Sequence, residues 1–174
     1  MLKFITLSVL ALALSTGFAS AQSNVDNLCE QAATCAKNGN YQQAQGLLLE
    51  ALKLQPNNET VAVGLAFVSN LAKDYDTAIA AGMHVLNKIN SQSALAFREV
   101  GWAYALKAAA ARKSGDTANA QEFAKLATGC LVKSLQFNKS DKATWEYLIA
   151  HCDACGDTAT ADQARKTRQQ VLGS

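Results

Sequence analysis

Downstream of residue 21 the chain is a series of apolar segments broken by short polar punctuation. The breaks fall at Lys37 to Asn40, Gln55 to Asn58, Lys73 and Asp74, Asn87 to Gln92, Ser114 to Asp116, Asn138 to Asp141, and Gly156 with Asp157. Segments of about a dozen to two dozen residues between such breaks fit helices joined by tight turns. Seven breaks predict eight helices. Pro56 is the one proline, clusters of β-branched residues are missing after residue 21, and Ala, Leu, Gln, Lys and Glu are plentiful, so the fold class is read as all-α.

The order of these segments is periodic. "GNYQQA" at Gly39 returns as "KDYDTA" at Lys73, 34 residues later, and "GDTANA" at Gly115 returns as "GDTATA" at Gly156, 41 residues later. Each copy opens with Gly or Lys and a small polar residue, followed by Tyr or Thr and then, three positions on, by Ala. The chemistry of a helix–turn–helix joint asks for this order. Gly tolerates the left-handed conformation at a helix end, and Asn40, Asp74, Asp116 and Asp157 can accept from the free N–H groups opening the next helix. The Ala lets antiparallel helices come close.

These residues resemble the tetratricopeptide repeat (TPR) family, a helix-pair unit with a period of about 34. Unit one, about 25–58, carries Ala32, Gly39, Tyr41, Ala44, Leu48, Ala51 and the closing Pro56; unit two, about 59–92, carries Ala66, Tyr75, Ala78 and Val85, with Asn90 in place of the proline. Unit three, about 94–140, opens on "FREVGWAY" with Phe97, Val100, Gly101 and Tyr104, and unit four, about 142–172, opens on Trp145 and Leu148. The resemblance implies a short α-solenoid of four antiparallel helix pairs over 22–174. Unit three departs from the family: Gly101 to Gly115 and Ala120 to Ser134 are each 14 residues, twice the family's separation. Both helices of that pair are therefore expected to be about two turns longer, with Ala105 to Arg112 and Ala124 to Cys130 projecting by about 10 Å, as a wall, a docking knob or a plain decoration.

Charge and the N-terminus bear on location. Met1-Leu2-Lys3, an apolar run from Phe4 to Leu14 and "ASA" at Ala19 to Ala21 form the pattern of a cleavable secretory signal, with cleavage expected after Ala21. The apolar run is shorter than the roughly 20 residues a membrane span needs, and Cys29 lacks the setting of a lipid anchor. The whole chain has 16 cations and 14 anions, so a processed chain without Lys3 is nearly neutral and lacks the basic surface that binding nucleic acid requires. A periplasmic or secreted product with no membrane span after processing is the expectation.

Candidate chemistry is sparse. Five cysteines in an exported chain raise the question of disulfides. Cys152 and Cys155 form a C-x-x-C at a helix end, and Cys130 competes for Cys152; the sequence does not choose between the two pairings. Cys35 and Cys152 share one repeat slot with Ser69 and Tyr104, a slot that in the family faces a neighbouring helix. His84 and His151 stand on separate helices without triad or metal spacing, so no catalytic residue, metal or cofactor is expected, and the chain is read as not an enzyme.

In the family the first helix of each unit lines a concave surface. That points Lys37, Phe67, Asn70, Arg98, Trp102 and Glu146 toward a groove suited to an extended peptide or a partner helix. Phe67 and Trp102 either line this surface or plug the gap between units. The lysine-rich set with which some relatives clamp a terminal carboxylate is not reproduced around Asn70. The resulting expectation is a protein-interaction module or scaffold that binds a protein or peptide. A self-assembling envelope subunit and a thiol-redox protein using Cys152 and Cys155 are the alternatives. The segment Arg165 to Gln170 reads as a polar cap on the last unit.

Overall fold

A computed structural model of the chain describes residues 22–173; the expected leader and its cleavage point lie outside them. Among the described residues there are eight helices and no strand: α1 (22–37), α2 (Tyr41–Leu54), α3 (Glu59–Leu71), α4 (Tyr75–His84, continued by a π-helical turn Val85–Ile89), α5 (Ala94–Ser114), α6 (Thr117–Phe137), α7 (Lys142–Cys155) and α8 (Thr158–Leu172). They form four antiparallel pairs. The odd-numbered helices form an inner row in which α3 packs on α5 and α5 on α7, while α2, α4 and α6 each also pack on the first helix of the next pair.

The repeated hexapeptides account for the joints. At their first position Gly39, Gly115 and Gly156 have φ of 78°, 80° and 77°, and Lys73 is forced to 63° in the same slot. Asp74, Asp116 and Asp157 accept from the backbone N–H groups of Thr77, Asn119 and Thr160 at 3.1 to 3.2 Å, whereas Asn40 makes no such bond. The recurring alanines, Ala44, Ala78, Ala120 and Ala161, are all buried, which brings the paired helices together. In unit two the N–H of Asn90 closes the π-turn on the Val85 carbonyl at 2.8 Å, and its side chain donates to the Glu59 carboxylate at 3.1 Å. A proline there would lack that N–H.

Helices α5 and α6 have 21 residues each, against 14 for α7 and 13 for α3. They stay in register from base to tip: Ser134 donates to the Ala94 carbonyl at 2.8 Å, and Tyr104 stacks on Phe123 at 6.1 Å. The long pair is braced on both flanks. Lys107 Nζ lies 2.6 Å from Asp76 at the start of α4, and Arg112 Nη1 lies 2.9 Å from Cys155 Sγ at the end of α7.

Candidate functional site

The inner row creates a continuous surface that starts with an apolar cleft between α1 and α3. Cys29, Ala33, Ala36 and Lys37 line it from α1, and Thr60, Gly64, Phe67 and Leu71 from α3, around a volume of about 480 Å³. Two small residues open this cleft. Ala33 stands where the repeat register puts Phe67 and Trp102 in the next two units, and Gly64 has no side chain to cover Leu48 beneath it. Lys37 and Phe67, both named from the sequence, thus share one recess.

From that recess an aromatic row crosses the groove. Phe67 is 38% exposed on α3; its ring centroid lies 6.0 Å from that of Trp102 on α5, which stacks at 5.1 Å and 18° on Tyr147 of α7. The rings of Phe67 and Trp102 bridge neighbouring units, as the second of the two sequence readings has it, and both remain partly exposed. Tyr147 was missed. Register makes Ala150 the counterpart of Trp102, and Tyr147 lies one turn earlier on the same face of α7. Finding it would have required knowing how far one inner helix is displaced along the next.

Beneath the aromatics runs a polar chain. Arg98 bonds Glu99 at 2.8 Å and Asp141 at 3.0 Å, and Asp141 also caps α7 and accepts from Thr144 Oγ1 at 2.7 Å. Glu99 is fully buried, and burial pushes its carboxyl up in spite of the guanidinium beside it. Burial opposes a charged Arg98, yet Glu99 and Asp141 together push its guanidinium up. Asp141 is also disfavoured by burial, but Thr144 and Arg98 hold it below the usual carboxylate range.

Two of the expected groove residues are spent in this network. Asn70 is 2% exposed and donates its amide to the Glu99 carbonyl at 3.1 Å, so it ties α3 to α5 instead of facing the groove. Arg98 remains one-fifth exposed but is committed to two carboxylates. Glu146 is exposed on α7 next to Tyr147.

The other candidates have structural partners. His84 Nε2 lies 2.9 Å from the Pro56 carbonyl and His151 Nε2 lies 3.1 Å from that of Ala124. All five cysteines are thiols. Cys152 is buried in the cluster of Leu131, Trp145 and Leu148, and burial pushes its thiol up to about 11. Cys155 faces Arg112, while Cys130 lines a different cleft with Met83 and Leu126. Arg165 pairs with Asp153 and Asp162 on the exposed face of α8, which gives the last unit its polar exterior. Among the described residues no group of three His, Cys, Asp or Glu side chains is placed to hold a metal, and no helix is long and apolar enough to cross a membrane.

No protein-family model and no curated protein matches the sequence. Solved structures are similar in fold. A thermophilic TPR protein of Thermus thermophilus superimposes with a TM-score of 0.72 at 16% identity, over 86% of this chain and 75% of that one. MamA of Desulfovibrio magneticus RS-1 gives 0.61 at 17% identity over 86% and 75%. The first TPR domain of Spaghetti (RPAP3), bound to an HSP90 peptide, gives 0.61 at 15% identity over 77% and 94%. The fold is therefore the TPR solenoid expected from the repeats.

Proposed function

We propose that this TPR solenoid is an exported interaction module that holds a peptide or protein segment in its concave groove, in the periplasm or outside the cell. The observation that carries the reading is the continuity of the α1–α3 cleft with the row Phe67, Trp102 and Tyr147: apolar and aromatic surface left open along one face. Aromatic area flanked by a few charges is what a groove for an extended segment or an amphipathic helix requires. The peptide-bound Spaghetti domain, which has the same fold, supports that mode of use. The processed N-terminus expected after Ala21 supplies the location, and N-terminal sequencing of protein recovered from the cell envelope tests it.

The groove is tested by capture from an envelope extract with the wild-type protein, Trp102→Ala and Gly64→Leu, the last chosen to fill the cleft. Loss of the same captured species in both variants supports the reading. Undiminished capture by both refutes it. Arg98 is a poor probe, because replacing it also strips a buried carboxylate of its partner.

A second reading, self-assembly into an envelope complex, is favoured by one feature of the convex side. Between α6 and α8 lies an apolar cleft of about 560 Å³ lined by Val132, Leu135, Trp145, Leu148 and Val171. Sedimentation over a range of concentrations decides it: a monomer throughout removes this reading.

A further inference from the structure

The groove reading leaves open what chemistry the groove selects, and the charges on its two halves differ. Burial pushes the Tyr147 hydroxyl up, and the nearby carboxylates of Glu99, Asp141 and Glu146 act in the same direction against the guanidinium of Arg98. That guanidinium is shared between Glu99 at 2.8 Å and Asp141 at 3.0 Å, so one positive charge faces two negative ones before Glu146 is added. Lys142 begins α7 a turn before Glu146, so with it this half carries three carboxylates, Glu99, Asp141 and Glu146, against two cations, Arg98 and Lys142. The other cations of α5 cannot reverse the balance. Lys107 is bonded to Asp76, and Arg112, which lies against Cys155, and Lys113 sit in the last turn of α5, at the far end from Arg98. At the opposite end, the α1–α3 cleft is walled by apolar side chains, with Lys37 the one charged residue lining it among those described.

We propose, resting on the groove reading, that this surface selects a segment with one bulky apolar side chain and, about four or five residues away, a lysine or arginine. The apolar side chain fills the cleft over Gly64 beside Phe67. The cation lies at Trp102 and Tyr147, where surplus carboxylate charge and aromatic rings both favour it. The separation follows from geometry: ring centroids 6.0 Å apart from Phe67 to Trp102 and 5.1 Å from Trp102 to Tyr147, plus about half a helix-to-helix step of 8–10 Å from Phe67 into the cleft, crossed by extended chain at about 3.3 Å per residue. Lys37 disfavours a second cation at the cleft and so fixes which end of the segment lies there. A terminal carboxylate is the wrong ligand for the α5–α7 half, since Arg98 is already shared between two acids.

The test uses three synthetic peptides, acetylated and amidated so that their ends carry no charge, titrated calorimetrically into the purified protein. One has Phe and Arg separated by four Ser and Gly residues, the second has Glu in place of Arg, and the third has Ala in place of Phe. The expected result is that the first binds about tenfold more tightly than either of the others. Glu146→Lys should shrink the Arg preference and leave the Phe preference, and Gly64→Leu should do the reverse. If the Glu peptide binds as well as the Arg peptide, and Trp102→Ala abolishes both, the groove is a binding site but this selectivity is wrong. If no peptide binds, or binding ignores both Trp102→Ala and Gly64→Leu, the groove reading falls and the selectivity with it.

Discussion

Adding one methyl group at Gly101 measures how closely the long helix pair is packed. A Cβ there would meet Leu131 Cγ at 2.8 Å, Cδ2 at 3.0 Å and the backbone N of Leu131 at 3.1 Å. Leu131 cannot swing aside, because it is fully buried in the cluster with Leu135, Trp145, Leu148 and Cys152. The helices would have to part by up to about 1 Å to restore ordinary contact. Gly→Ala inside a helix gains roughly 0.5–1 kcal/mol from the unfolded state, whereas overpacking of a filled core costs about 1–3 kcal/mol. Overpacking wins, with a net loss of about 1–2 kcal/mol for Gly101→Ala.

Gly64→Ala is the internal control. Its Cβ would lie 3.9 Å from the Leu48 methyls, an ordinary contact, so the propensity gain of about 0.5–1 kcal/mol is expected unopposed. Urea unfolding followed by circular dichroism reads both variants, provided that the slope against urea stays constant. The two midpoints should move in opposite directions, and in a domain of this size each kcal/mol shifts the thermal midpoint by about 2–4 °C. Should Gly101→Ala equal or exceed the wild type at unchanged slope, the close approach of α5 and α6 is refuted.

Other expectations concern the joints, the buried charges and the thiols. Lys73→Gly relieves a left-handed conformation at φ 63° and should raise stability by about 1 kcal/mol, measured by the same urea melts; a loss would mean that the turn does not strain the lysine. Arg98→Ala leaves Glu99 buried without its cation and should cost about 3 kcal/mol or more at neutral pH. Because the Glu99 carboxyl is raised, its charge is a burden above the ordinary carboxylate range and disappears below it, so the deficit of Arg98→Ala should shrink near about pH 4; an equal deficit at both pH values refutes this account. Burial holds His151 below its ordinary 6.5, with Arg112 acting in the same direction and the Ala124 carbonyl and Asp157 against it. The stability contributed by its neutral ring is complete above that ordinary value and is lost as pH falls through the folded one. His151→Gln should therefore flatten the fall in stability between about pH 7 and 5, whereas an unchanged pH profile would exclude His151 as its source. Alkylation of the native protein with mass mapping should modify Cys155 well before Cys152, whose thiol is buried and pushed up to about 11; equal rates would contradict the packing of α7.

The hexapeptide repeats were enough to place the four pairs, because a turn slot, a cap and a small contact residue are local demands that each copy meets with its own residues. Lengthening of the third pair was legible for the same reason: helix length is the distance between successive breaks. The failure at Asn40 is also local, as the residue type permits a cap that the actual turn does not form. The groove was only partly readable. The family resemblance points Lys37, Phe67, Trp102 and Glu146 toward it, but whether a polar residue on the inner face meets solvent or a neighbour depends on how one helix is displaced along the next.

The sequence by itself therefore determined the helices and their pairing, both consequences of short-range spacing, whereas the side of each inner helix expected to turn toward a groove rested on the resemblance to the repeat family. Only the tertiary structure decided that Asn70 and Arg98 are consumed by Glu99 and Asp141, that Tyr147 rather than Ala150 completes the aromatic row, and that Ala33 and Gly64 leave a cleft. Those outcomes depend on the offset and separation of neighbouring helices, which are set by the summed packing of side chains distant in sequence.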